Sequence, residues 1–288
     1  MNAVQRRLAR AVSAWCIATS AAATVVACGP VEPRAFVPGD GSPPPLVDAG
    51  QPACRGNGDG VVARDEVVFA PGVEVRYRVN PPGTTITLDV DGEVGADGLR
   101  VWDFSSLGGD LYPLTLVTAA DRWFASSFPA ADYAARLDPR DTVLGVYDAS
   151  DGELALLGAA GEDESSGTLL AYDQPVPLLR FPLTLGASWS TEAVVMDGRV
   201  GGAPVASRDR YDVTVDAVGE MRLGILTFSS VLRVRVEIVQ TFPAGPGVRR
   251  IQYLWLAECY GEVARATSRD GEVDPSFGEA VELRRLGL

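Results

Sequence analysis

The sequence predicts an all-β fold, antiparallel and either curved into a partial barrel or paired as a sandwich. Three observations carry this. Apolar and polar residues alternate with period two, Asp-Gly pairs recur along the chain as turn signals, and no stretch of about 12 residues combines helical periodicity with caps. Ala130 to Leu137 comes nearest to a helix. The strands are expected only after a signal peptide (1–27) and a Pro-rich tether (28–53).

Arg6, Arg7 and Arg10 precede the uncharged small-residue and apolar run Ala11 to Ala27, the layout of an export signal. At roughly 17 residues the run is short for a bilayer span of about 20. It ends in Val25-Val26-Ala27-Cys28, which resembles a bacterial lipobox, with Val26 where a small residue is usual. The resemblance implies cleavage before Cys28, lipidation of its thiol, palmitate among the acyl groups, and an exported protein anchored to the cell envelope, at the outer membrane. Ordinary signal-peptidase cleavage near Ala21-Ala22-Ala23 is the alternative. Loss of 1–27 leaves 22 arginines against 38 acids, a balance of −16. Such a body is repelled by anionic lipid, so acyl chains would supply the membrane attachment.

Pro30, Pro33, Pro38, Pro43, Pro44, Pro45 and Pro52, with Gly39, Gly41 and Gly50 between them, hold too little apolar material to offset backbone entropy. At about 3 Å per residue in extended conformers, the tether reaches several nanometres.

Residues 54–70 contain Asn57-Gly58-Asp59-Gly60 and Glu66. Against a calcium-binding EF-hand loop these fall at the third, fifth, sixth and twelfth positions, with aliphatic Val62 at the eighth. Arg55 stands at the first ligand position, where a cation removes one oxygen and repels the ion, and Pro52-Ala53-Cys54 is no entering helix. Asn57, Asp59 and Glu66 are therefore weak calcium candidates, and a polar turn leading into the domain is the expectation, with no cofactor.

From residue 71 to 288 the strands follow. Val73, Val75, Tyr77 and Val79 alternate with Glu74, Arg76 and Arg78; Ile86, Leu88 and Val90 with Thr85, Thr87 and Asp89. Tyr211, Val213 and Val215 alternate with Asp212, Thr214 and Asp216, and Leu232, Val234, Val236 and Ile238 with Arg233, Arg235 and Glu237. Each such strand is expected to have one buried and one wet face. Turns are expected at Asp91-Gly92, Asp97-Gly98, Asp151-Gly152, Asp197-Gly198 and Asp270-Gly271, separating about 14 to 17 strands. Pro175, Pro177 and Pro182 withhold backbone donors, so 175–182 reads as an edge or crossover, and two sub-halves could meet near 175–187.

The C-terminal third carries a resemblance. Phe181-Pro182-Leu183, Gly186 and Trp189, then Leu223-Gly224-Ile225, then Tyr253-Leu254-Trp255-Leu256-Ala257 and Gly261-Glu262-Val263, are similar to motifs of a broad set of uncharacterised bacterial exported proteins. That set resembles in layout the curved sheets of periplasmic lipoprotein carriers, whose concave face holds acyl chains. The resemblance implies a structural role for these motifs and carries no active site.

The four cysteines fit export. Cys16 leaves with the signal and Cys28 is assigned to lipid, so Cys54 and Cys259 are expected to pair in an oxidising compartment. The chain contains no histidine, and all 25 basic residues are arginine against 38 acids, a net charge of −13. Imidazole bases, histidine metal ligands, Schiff-base lysines and serine triads are thereby excluded. Nucleic acid is an unsuitable partner for so acidic a chain.

Three functions survive. The first is a non-enzymatic structural or interaction domain of an envelope lipoprotein, with an envelope protein as partner. The second binds an acyl chain or other apolar ligand in a sheet concavity. The third is a carboxylate-based hydrolase, for which Asp103 beside Trp102 and Glu258 beside Trp255 are the cleft candidates and Glu162-Asp163-Glu164 a solvated run. Trp102, Trp123, Trp189 and Trp255 are expected in core and rim packing, with a carbohydrate or lipid platform as the alternative.

Overall fold

The structure is a computed structural model that describes residues 54, 56–95 and 98–287. Cys28, the signal and the tether lie outside the described residues. The strands are β1 (Glu74–Val79), β2 (Ile86–Thr87), β3 (Glu93–Val94), β4 (Arg100–Asp103), β5 (Asp110–Thr115), β6 (Val117–Thr118), β7 (Tyr133–Arg136) and β8 (Val143–Ala149). They continue with β9 (Glu153–Gly161), β10 (Leu169–Arg180), β11 (Ser188–Val200), β12 (Ala203–Leu223), β13 (Leu226–Thr241), β14 (Val248–Ala257), β15 (Gly261–Ser268) and β16 (Glu279–Leu286).

The fold is all-β, and thirteen strands form one antiparallel sheet nearly closed into a barrel. From β6 to β16 along this path each strand pairs with its chain neighbours, as short turns dictate. Then β16 pairs with β1 and β1 with β5, so the path ends on β5 and begins on β6. Only Leu116 separates those two strands. Residues 110–118 are thus one bent strand whose first part pairs with β1 and whose last part pairs with β7.

One cluster joins Tyr77 and Val79 of β1, Leu114 of β5, Tyr133, Tyr147, Leu156, Val176, Ala193, Val213, Val234 and Leu254. Residues drawn from all around the ring can meet only inside it. Two further clusters coat the outside. Leu88, Val90, Trp102 and Phe104 cover Tyr253, Trp255, Ala264, Ala266 and Leu283, while Phe124 and Phe128 cover Ala134, Leu144, Val146 and Leu157. Strand β4 pairs parallel with the far end of β12, from Gly219↔Arg100 to Arg222↔Asp103, and this fixes the first cover.

The outer covers change the expected wet faces. Arg233, expected in solvent, is buried under Trp102 and Val90. Ala130 to Leu137 is not helical: Tyr133–Arg136 is β7, with Tyr133 and Ala135 facing the interior and Ala134 the outer cover. Small alanines fit both crowded faces, which gives the run its false helical look. Asp151-Gly152 turns β8 into β9, but Asp197-Gly198 sits inside β11 at a bulge. The turn comes later, at Gly201-Gly202, whose φ values of 57° and 78° suit a tight hairpin.

Segment 175–182 is not at a sheet edge; β10 lies between β9 and β11. The prolines act locally instead. Ala171 opposes Gly158 and Val176 opposes Leu156, so 172–175 bulge out of the ladder against the single residue Leu157. Towards β11, only Leu169↔Arg199 is in register. Side chains replace the missing ladder: Val194 N–H donates to Asp173 Oδ1 (2.7 Å), Gln174 donates to the Glu192 carbonyl, and the Trp189 indole donates to the Pro177 carbonyl (2.8 Å).

Candidate functional site

Cys54 and Cys259 form a disulfide, with Cα atoms 5.4 Å apart. Around it the stretch before β1 crosses one end of the barrel. Cys259 N–H donates to the Glu66 carbonyl (2.7 Å), Val62 and Leu183 exchange backbone bonds (3.1 and 2.9 Å), Arg64 Nε donates to the Ser150 carbonyl (3.0 Å), and Gly72 N–H donates to the Leu116 carbonyl (2.7 Å). Three turns of the barrel and the bend at Leu116 are thereby tied to one N-terminal plug. Val62 and Val67 bury into the interior cluster, and Phe69 stacks near Tyr133 (6.4 Å).

The calcium candidates are part of this plug. Asn57 Oδ1 and Asp59 Oδ1 accept the Asp59 and Val61 N–H groups (2.9 and 2.8 Å), the geometry of successive Asx turns. Glu66 is buried, and its Oε2 accepts the Ala63 N–H (2.8 Å), closing a short 3-10 turn at Arg64–Glu66. The three residues thus serve the backbone of the plug rather than converging on one point.

The cleft candidates are likewise dispersed. Asp103 is exposed, with its carboxyl held below the usual range by hydrogen bonds from Ser105. Glu258 Oε2 accepts the Gly58 N–H (2.9 Å) of the plug. Glu162 pairs with Arg136 (2.8 Å). Trp102 and Trp255 are fully buried and meet edge to face at 5.9 Å, so they offer no platform. Trp123 donates to the Gly161 carbonyl (2.9 Å).

The interior holds ionisable groups that alternation hid. Arg284 Nε lies 3.0 Å from Glu262 Oε1 and 3.3 Å from Glu282 Oε1, and Arg265 donates to Glu262. The Arg284 guanidinium faces the Tyr77 ring at 5.7 Å, while Tyr77 Oη donates to the Glu262 carbonyl (2.9 Å). Burial raises the Glu282 carboxyl, opposed by Arg284; burial likewise raises Tyr77 and Tyr147. Glu262 and Glu282 are paired acids, but both turn to one arginine. That geometry balances charge and leaves neither oriented for acid–base work across a substrate.

Nearer the other barrel end, Tyr172 Oη lies 2.8 Å from Asp209 Oδ2 and 2.9 Å from Tyr211 Oη. Gln240 Nε2 donates to the same Asp209 oxygen at 3.2 Å. Asp209 is 3% exposed, and burial raises its carboxyl against the hydrogen bonds of Tyr172, Ser207 and Gln240. In sequence, Ser207, Asp209 and Tyr211 do share one strand face, but only the bulge of β10 brings Tyr172 to them. Among the described residues, no group of three or more Cys, Asp or Glu residues is placed to hold a metal ion. No family model, curated protein or solved structure matches the chain.

Proposed function

We propose that the protein is a cell-envelope lipoprotein, anchored through lipid on Cys28 at the outer membrane, whose barrel is a non-enzymatic structural or interaction domain for an envelope partner. The observation that carries this reading is the Cys54–Cys259 bridge. Cys54 is the first residue after the Pro-rich stretch, so force drawn through an anchor passes directly into the β14–β15 turn by a covalent bond. The plug then spreads it over two further turns and the bend at Leu116.

The interior supports this over an apolar-ligand carrier. The side chains that would line a ligand cavity are buried against one another, and inward polar positions carry the Glu262–Arg284–Glu282 pairs and the Tyr172–Asp209–Tyr211 contacts. Absence of histidine and lysine supports a non-enzymatic domain over the common hydrolase mechanisms.

The test is metabolic labelling with a palmitate analogue in a bacterial host, followed by membrane fractionation. The wild type is expected to take up label and partition with outer membrane, and Cys28→Ala or globomycin treatment to abolish both. Equal membrane partition of Cys28→Ala would remove the anchor from the reading.

A further inference from the structure

Among the described residues Asp209 differs from the other inward acids in having no arginine paired with it: Glu262 Oε1 and Glu282 Oε1 also lack a hydrogen-bond partner, but both face the Arg284 guanidinium. Asp209 Oδ2 takes two donors, but its Oδ1 is fully buried and has no hydrogen-bond partner. An ionised carboxylate in that position calls for a positive charge or a donor, because an unpaired buried lone pair forfeits its hydration without return. The arginine whose charge reaches this corner, Arg250, is held elsewhere, with Nε 3.0 Å from Asp270 Oδ1.

The surroundings specify the kind of charge. The Tyr172 and Tyr211 rings stand edge to face at 6.3 Å beside the carboxylate, and their hydroxyl oxygens and that of Ser207 supply neutral ligands. One carboxylate with hydroxyls and electron-rich rings suits a singly charged, weakly hydrated ion. Calcium asks for six or more oxygens and magnesium for a rigid octahedron, and this corner offers neither. A way in is built into the wall. Tyr172 belongs to the 172–175 bulge, where β10 leaves the ladder of β9 and shares one registered pair with β11. Across that seam the side-chain bonds of Asp173 and Gln174 and the Trp189 contact stand in for ladder hydrogen bonds.

We infer that Asp209, with Tyr172, Tyr211 and Ser207, forms a binding site for a weakly hydrated monovalent cation of potassium or ammonium size, entered between β10 and β11. The ion completes Asp209 Oδ1 and locks the bulge over it through Tyr172.

The test titrates the full-length protein with potassium chloride and with ammonium chloride, at ionic strength held constant with N-methylglucamine chloride. Near-ultraviolet circular dichroism of the tyrosines and the thermal midpoint are read together. A saturable change with either ion is expected, the two arms telling which ion it accepts, and Asp209→Asn is expected to weaken it by about tenfold or more. No saturable change in the wild type, or an unaltered change in Asp209→Asn, would overturn the site. If that variant does not fold, crystals of the wild type soaked in rubidium chloride decide the matter. An anomalous peak beside Asp209 Oδ1 is the expected result, and its absence there would refute the inference.

Discussion

Arg233 is enclosed by two carboxylates, Asp216 and Asp91 (3.4 Å), a carbonyl and two rings. Its Nε and Nη2 donate to the two oxygens of Asp216 (2.8 and 3.1 Å), Nη1 donates to the Val90 carbonyl, and Cζ lies 4.5 Å from the Tyr253 ring centre and 5.8 Å from that of Trp102. A fork of donors fits this set as an ammonium would not. Arg233→Ala leaves Asp216 without its partner beneath the cover, and a loss of about 3–5 kcal/mol in urea unfolding is expected. Arg210→Ala, from the exposed pair with Asp212, is expected to leave the urea midpoint unchanged. Asp138 gives a pH signature. Burial pushes its carboxyl up, but the hydrogen bonds from Arg140, itself anchored to the Asn80 carbonyl, outweigh burial and hold it below the ordinary value. A depressed carboxyl stabilises the fold above its unfolded pKa and loses that contribution as pH falls through the folded one. Asp138→Asn is therefore expected to cost about 2 kcal/mol at pH 7, and the gap to wild type to narrow once pH falls below about 3.9. An equal gap at pH 7 and pH 3 would dismiss the ionic contribution.

At the scale of elements, period-two alternation was enough to place β1, β12 and β13, because each holds an apolar run on one face: Val75, Tyr77 and Val79; Tyr211, Val213 and Val215; Leu232, Val234, Val236 and Ile238. It failed where both faces are covered. In β16 the run Glu-Ala-Val-Glu-Leu-Arg-Arg-Leu sends Glu282 and Arg284 towards the interior pairs, and Leu283 and Arg285 towards the outer cover. Local sequence says that a charge alternates; it does not say that an oppositely charged strand lies opposite. For the same reason Tyr172 and Asp209, 37 residues apart, could not be paired by spacing. The cover itself depends on a contact as local as one missing methyl. A Cβ on Gly219 would stand 2.0 Å from the Arg100 carbonyl oxygen, so Gly219→Ala must push β4 off β12. A loss of about 3 kcal/mol is expected, with faster hydrogen exchange across Arg100–Asp103 and a red shift as Trp102 meets water. Unchanged protection of those amides would show that β4 does not need the close approach.

For the whole molecule, the disulfide joins residues 205 positions apart, at the plug and at the turn before the penultimate strand. The pairing was legible because only two cysteines remained once the signal and the lipobox were set aside; the plug it fastens was not, since its hydrogen bonds to distant parts of the barrel leave no mark on composition. Crosslinking so long a loop is worth about 5 kcal/mol in the chain-entropy account. Cys259→Ser is expected to lower unfolding free energy by up to that amount, and reducing agent to lower the wild type towards the variant without further effect on the variant itself. A variant as stable as the oxidised protein would mean that the plug's hydrogen bonds alone fix the end of the barrel.

The partner exchange at Leu116 also orders events in time. Strand 110–118 holds β7 on one side and β1 on the other, but β1 needs β16, and Tyr77 meets Leu286 only once β16 has been made. Nearly the whole sheet can zip hairpin by hairpin, yet its last seam waits for the eight-residue β16 to meet β1 about 200 residues earlier, the slowest kind of contact to form. Until then β1 and β15 each keep an open flank. A chain that stalls or is clipped before Glu279 therefore exposes two adhesive borders at once, so β16 is the strand that makes the molecule safe among its neighbours.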